Sequence, residues 1–254
     1  MIRSPAVELP HSHSVSSPSA AAVSETFLSV QGEGKRTGVP SWFIRFSGCN
    51  LRCRWCDTPY ASWQPDGDSR TLDALLVEAR QVRAKGYPDV VITGGEPLLF
   101  AITEPLSAEL RTMGFTITFE TAGTVDRPVT CDLMSISPKL ASSTPTSDPR
   151  DPAGAWGRRH EERRLNLATL QALISRYPGH QLKFVATTPA DLTEIEGLLA
   201  QLRGWKNEDV LLMPEGTTPP TADHKAWVLQ ACLSRGWRYC ARLHIELFGN
   251  KRGT

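Results

Sequence analysis

Short apolar runs alternate along the chain with stretches in which apolar residues recur every three or four positions. The runs 26–30 (TFLSV), 42–46 (WFIRF), 89–92 (DVVI), 115–119 (FTITF), 133–137 (LMSIS), 182–186 (LKFVA) and 210–213 (VLLM) predict strands, and 238–244 (RYCARLH) predicts the last one. Helical spacing fills the gaps. Residues 71–85 set Leu72, Leu75, Leu76, Ala79 and Val82 on one face, and 190–203 does the same with Leu192, Ile195, Leu198, Leu199 and Leu202. Further helices are predicted at 104–113, 165–176 and 222–235. The stretch 141–164, rich in Pro, Ser and charge, reads as a long loop, and 1–23, rich in Ser, Pro and Ala, as a disordered tail.

Strand–helix alternation implies a mostly parallel α/β sheet with helical crossovers. The core strands between 42 and 244 are too few for an eightfold barrel. They suit an incomplete (β/α) barrel or an open doubly wound sheet, in one domain over 24–254. No G-x-G-x-x-G turn follows a strand, so dinucleotide binding has no support. The chemically unusual residues fall just past strand ends: Cys49, TGGEP (93–97), ETAG (120–123), SPK (137–139), MPEG (213–216) and His244. In parallel α/β folds that edge is where ligands bind.

Composition narrows the function classes. The chain has 254 residues, 40% of them apolar, and a formal net charge of +1, without the basic excess of a protein that wraps nucleic acid. It has no apolar run of membrane-spanning length and no apolar block of a secretory signal near its start, which points to the cytoplasm. Six cysteines in a reducing compartment are then metal ligands, catalytic groups or small buried hydrophobes, not disulfides. Cys131, Cys232 and Cys240 are scattered and read as buried hydrophobes, and His11 and His13 as incidental.

Cys49, Cys53 and Cys56 are different, because three thiols fall within eight positions. A structural zinc site needs four protein ligands, and no matching second pair follows. A redox C-x-x-C pair leaves Cys49 unexplained. A [4Fe–4S] cluster on three thiolates leaves one iron open for a substrate or cofactor.

C-x3-C-x2-C, with Trp55 before the last cysteine and TGGEP on the next strand, resembles the radical S-adenosylmethionine (SAM) superfamily. That resemblance implies an incomplete (β/α)6 TIM-like barrel of the radical SAM type, a [4Fe–4S] cluster on the three cysteines, and SAM chelated to the open iron. Reductive cleavage of SAM then yields a 5′-deoxyadenosyl radical that takes hydrogen from the substrate. Trp55, Asp57, Gly94, Gly95, Glu96, Ser137, Lys139, Met213, Pro214, Glu215 and Gly216 would form the SAM pocket. The two glycines would admit backbone close to the methionine amino group.

Within the superfamily, residues 24 to 253 are similar to the 7-carboxy-7-deazaguanine synthase family, through SVQGEGKRTGVPSWFIRFSGCNLRCRWCDTPY, LNLATLQALI, LMPEGTT and LHIELFGNKRG. The resemblance implies a lyase of 7-deazapurine and queuosine biosynthesis. It converts 6-carboxy-5,6,7,8-tetrahydropterin to 7-carboxy-7-deazaguanine with loss of ammonia. It also implies Mg²⁺ on Thr58, a homodimer and an external one-electron reductant of flavodoxin or ferredoxin type. Gln31, Gly32, Glu33, Arg45, Thr93 and His244 would contact the substrate, with the Arg45 fork matched to its carboxylate. The residues beyond His244, up to Thr254, receive no role. A glycyl-radical activating enzyme and a non-catalytic metal-binding module are the rivals.

Overall fold

The computed structural model describes residues 19–254; the histidines at 11 and 13 lie outside the described residues. The chain starts with an antiparallel trio. β1 (Ala20–Val30) pairs with β2 (Pro40–Phe46) along one edge and with β3 (Asp68–Thr71) along the other. The expected tail therefore ends earlier than residue 23, since Ala20–Val23 pair with Asp68–Thr71. The Ala20–Val23 segment is mostly alanine, a weak strand former, and Asp68–Thr71 is polar, so neither announces a strand.

From β3 onward strands and helices alternate. α1 (Leu72–Ala84) is capped by the Thr71 hydroxyl, which accepts from the Ala74 amide at 3.2 Å, and it buries Leu75, Leu76, Ala79 and Val82. β4 (Asp89–Gly94), α2 (Thr103–Thr112), β5 (Thr116–Thr121) and β6 (Leu133–Ile136) follow. Then come α3 (Ala155–Arg163), α4 (Leu167–Arg176), β7 (His180–Ala186), α5 (Ala190–Gln201), β8 (Val210–Pro214), α6 (Ala222–Arg235), β9 (Arg238–Tyr239) and α7 (Leu243–Phe248). No helix among the described residues is long and apolar enough to cross a membrane.

The sheet runs β3-β1-β2-β4-β5-β6-β7-β8-β9, parallel from β2 onward. Six full parallel strands and the two-residue β9 form an incomplete barrel. Two further expectations are corrected. The predicted strand 238–244 pairs only through Arg238 and Tyr239; the chain then leaves the sheet where Arg242 turns inward, and His244 sits on α7. The predicted loop 141–164 contains a 3-10 turn (Ala141–Ser143) and α3. Only Ala155 and Trp156 of the nine residues in α3 are apolar, and they are adjacent, so helical spacing could not mark it.

Strand alternation divides the side chains into two sets. Trp42, Ile44, Phe46, Val90, Ile92, Ile117, Phe119, Met134, Ile136, Leu182, Phe184, Val210 and Leu212 join the core under the helices. Burial of each large side chain contributes about 1.5–3 kcal/mol. The alternate residues line the inner face, and several are polar: Arg45, Thr93, Glu120, Ser135 and Lys183. The amino end of the barrel is plugged by the turn at Gly34–Arg36. Lys35 Nζ lies 2.6 Å from Asp209 and 2.9 Å from the His180 carbonyl, and Arg36 pairs with Asp89. The carboxyl end is left open.

Candidate active site

At that open end lies a cavity of about 440 Å³, lined by side chains from both the cysteine loop and the barrel interior. Cys49, Cys53 and Cys56 all face it, as do Leu51 and Trp55. The Leu51 amide points at Cys49 Sγ (3.4 Å), Cys56 Sγ lies 3.2 Å from the Ser62 hydroxyl, and the Trp63 indole N–H donates to the Cys53 carbonyl at 2.9 Å.

The backbone amides of the intervening arginines meet the 141–164 segment. Arg54 donates its amide to the Ser143 carbonyl (2.8 Å), and the Arg52 amide meets His160 Nδ1 (3.2 Å). His160 Nε2 lies 2.8 Å from the Ser143 hydroxyl, and the Arg52 guanidinium stacks on Trp156 at 4.0 Å. Burial, reinforced by Arg164, lowers the His160 pKa to about 4, so the imidazole is neutral and accepts from the loop.

The donor set fits a cluster. Burial pushes the Cys49 thiol up to about 12 and raises Cys53 and Cys56 as well, so these groups ionise only against a strongly cationic centre. Among the described residues, no three His, Cys, Asp or Glu side chains converge tightly enough to hold a single metal ion. A cube with a separate iron for each thiolate suits three thiols spread over one wall.

Of the residues expected at SAM, Trp55, Asp57, Gly94, Gly95, Ser137, Lys139 and Met213 line the cavity. Trp55 Nε1 is buried without a partner, a donor left for a ligand. The glycine pair also has a packing use. A Cβ on Gly94 would sit 2.1 Å from the Phe46 carbonyl oxygen, and one on Gly95 2.2 Å from that of Gly48, so both glycines let β4 abut the start of the cysteine loop. Glu96 does not reach the cavity. Its carboxylate is fully buried and takes donors from Leu98 N, Thr121 Oγ1 and Ala122 N. Pro214, Glu215 and Gly216 also lie outside the lining; the Gly216 carbonyl instead accepts from Arg242.

The opposite wall is polar. Gln31, Gly32, Glu33, Arg45, Thr93 and His244 all line it, and Thr58 lies at the cavity beside Asp57. Arg45 Nε is held by Glu25 at 2.7 Å, and Glu25 also accepts from the Tyr60 hydroxyl. Gly32 makes room for the histidine, since a Cβ there would fall 1.9 Å from His244 Nδ1. The Leu243 amide donates to the Gly32 carbonyl (2.9 Å), which ties α7 to the end of β1. Thr58 donates its hydroxyl to Asp57 (2.9 Å) and keeps oxygen lone pairs free. A Mg²⁺ ion there would have few protein oxygens and would rely on water and substrate, as that ion commonly does.

Sequence reasoning missed several residues of this wall. Glu120 accepts from Gln31 Nε2 and Thr93 Oγ1, both at 3.1 Å. Lys183 pairs with Glu33 and lies 3.9 Å from Glu120. Arg242, 9% exposed, lies 3.3 Å from Glu33 and 2.9 Å from Asp57. These cations outweigh the effect of burial and hold the Glu33 carboxyl well below the usual range. Lys183 did carry a signal, as a lone charge inside an apolar strand, and Glu120 lay in a strand-end motif already noted. Asn250, Lys251, Arg252 and Thr254 also line the cavity, with Arg252 anchored to Asp66 (2.8 Å).

A three-cysteine loop at the carboxyl edge of a partial parallel barrel, facing a cavity shared with a polar wall, defines a radical SAM enzyme. Residues 43–140 match the model of the Radical SAM superfamily. The chain is 44% identical to a 7-carboxy-7-deazaguanine synthase of Rhodopirellula baltica, covering 97% of this chain and 96% of that protein. It is 45% identical to one of Halobacterium salinarum, covering 92% and 93%. The crystal structure of QueE from Escherichia coli superposes with a TM-score of 0.67 at 28% identity, over 89% of this chain and 95% of that one. The chain belongs to the 7-carboxy-7-deazaguanine synthase family. The cofactors of such an enzyme are a [4Fe–4S] cluster, SAM and Mg²⁺.

Proposed function

We propose that this protein converts 6-carboxy-5,6,7,8-tetrahydropterin to 7-carboxy-7-deazaguanine and releases ammonia, as a lyase of 7-deazapurine biosynthesis. The observation that carries the reading is the pairing of two unlike walls in one cavity, thiols on one side and fixed hydrogen-bonding groups on the other. When bound, the cluster and SAM supply the radical that starts the reaction.

The residues of this chain bind, orient and shield. Cys49, Cys53 and Cys56 would hold the cluster, and Trp55, Asp57, Gly94, Gly95, Ser137, Lys139 and Met213 would surround SAM. The terminal guanidinium nitrogens of Arg45 make no hydrogen bond among the described residues, so they are available to the substrate carboxylate. Gln31, Glu33, Thr93 and Glu120 offer acceptors and donors to the pterin ring edge, and His244 closes over it from α7. Thr58 would ligate Mg²⁺. The enzyme works as a cytoplasmic homodimer with an external flavodoxin- or ferredoxin-type reductant.

The test is an anaerobic assay of the reconstituted protein with reductant, SAM, Mg²⁺ and the carboxytetrahydropterin. Formation of the deazapurine acid is expected. Cleavage of SAM with no deazapurine would retain the class and overturn the substrate.

A further inference from the structure

The polar wall holds the two carboxylates assigned above to the ring edge and, between them, a buried lysine that neither the cofactors nor those substrate contacts require. Glu33 follows β1 and Glu120 ends β5, yet both side chains face the same cavity. Two carboxylates in one desolvated site do not both stay ionised unless charge compensates them; otherwise they share a proton. Lys183 supplies that charge. It projects inward from β7, is 5% exposed, pairs with Glu33 Oε2 and lies 3.9 Å from Glu120 Oε1.

We propose that Lys183 is a positioning residue that keeps Glu33 and Glu120 both ionised, so that the wall presents paired carboxylate acceptors to a heterocycle edge rich in N–H donors. The inference rests on the pterin reading of the cavity and adds the means by which the ring is selected. The other groups around the pair agree with this role. Gln31 and Thr93 each donate to a different oxygen of Glu120, which fixes the carboxylate plane and leaves a lone pair on each oxygen. Arg242 holds the far oxygen of Glu33 at 3.3 Å, His244 is a further titratable group beside it, and Cys240 is the remaining titratable neighbour of Lys183. Lys183 is not placed to receive the substrate carboxylate, since both acids already claim its ammonium, whereas the Arg45 fork remains free. A pyrimidine ring with adjacent ring N–H and amino donors matches two ionised acceptors. A ring with an oxo group in place of the amino group sets oxygen against oxygen.

The experiment is anaerobic equilibrium dialysis of the reconstituted enzyme against 6-carboxypterin and against 6-carboxylumazine, from about pH 6 to about pH 8. The native protein is expected to prefer the pterin by at least about tenfold, with little pH dependence. Lys183→Met is expected to bind the pterin about tenfold or more weakly at neutral pH, to lose the preference over the lumazine, and to recover affinity as pH rises and the shared proton leaves. Lys183→Arg keeps the charge and is expected to stay within about threefold of the native protein. If Lys183→Met does not fold, Lys183→Met/Glu120→Gln removes one charge of each sign; weaker binding with a flat pH profile is expected from it. Native-like binding by either methionine variant overturns the proposal, as does a uniform loss at every pH shared equally by Lys183→Arg. A native enzyme that binds neither ligand refutes the pterin reading itself, a distinct outcome.

Discussion

The two walls of the cavity are built in opposite ways. The thiol wall comes from one segment, 49–56, braced from behind by Ser143 and His160. The polar wall draws Gln31 and Glu33 from the end of β1, Arg45 from β2, Thr93 from β4, Glu120 from β5, Lys183 from β7, and Arg242 and His244 from the last segment. Hydrogen bonds and ion pairs join Gln31, Glu33, Thr93, Glu120, Lys183 and Arg242, so a change at one of these positions reaches its neighbours. The three thiols share no such network among the described residues, and each would contribute its own bond to a cluster. The lesson concerns failure: the thiol wall should fail completely at single positions, and the polar wall by degrees and non-additively.

The largest effect expected is from Cys53→Ala. The variant should fold, yet lack the charge-transfer absorbance and iron content of a reconstituted cluster and show no SAM cleavage. Full iron loading with SAM cleavage would remove the cysteines from the role given them. Next is Glu120→Gln. It keeps the shape but turns an acceptor for Gln31 and Thr93 into a mixed group, so KM should rise about 10- to 100-fold with a smaller change in kcat, about 1.4–2.8 kcal/mol. Steady-state kinetics with the carboxytetrahydropterin decides it; an unchanged KM would show that this carboxylate does not meet the ring.

Gly32→Ala tests coupling within the polar wall. The new methyl group displaces His244, so KM should rise about tenfold, and the Gly32→Ala/His244→Ala pair should be no worse than His244→Ala alone. Additive losses would separate the two residues. The smallest effect concerns the brace. The His160 pKa falls from 6.5 in the unfolded chain to about 4 in the fold, so the unfolded state takes up a proton that the folded state refuses. Stability should therefore decline as pH drops from 6.5 toward about 4. Thermal melts across that window check this, and His160→Asn should flatten the profile while lowering Tm at neutral pH. An identical slope in the variant would assign the acid sensitivity elsewhere.

The amino-acid order alone determined the barrel core, the helix faces and the thiol wall. Alternation of period two and apolar spacing near 3.6 are local signals, and three cysteines in eight positions are close by virtue of the chain itself. Only the tertiary structure decided the rest. Lys183 and Arg242 become partners of Glu33, and Glu120 a neighbour of Lys183, because the barrel brings residues far apart in sequence to one inner face. The charged segment 141–164 becomes a brace because one neutral, buried His160 finds the loop backbone. His244 reaches the cavity on a helix because Gly32, far away along the chain, leaves room for it. Hydrogen bonds and ion pairs of this kind depend on distance in space, and no periodicity along a chain encodes that distance.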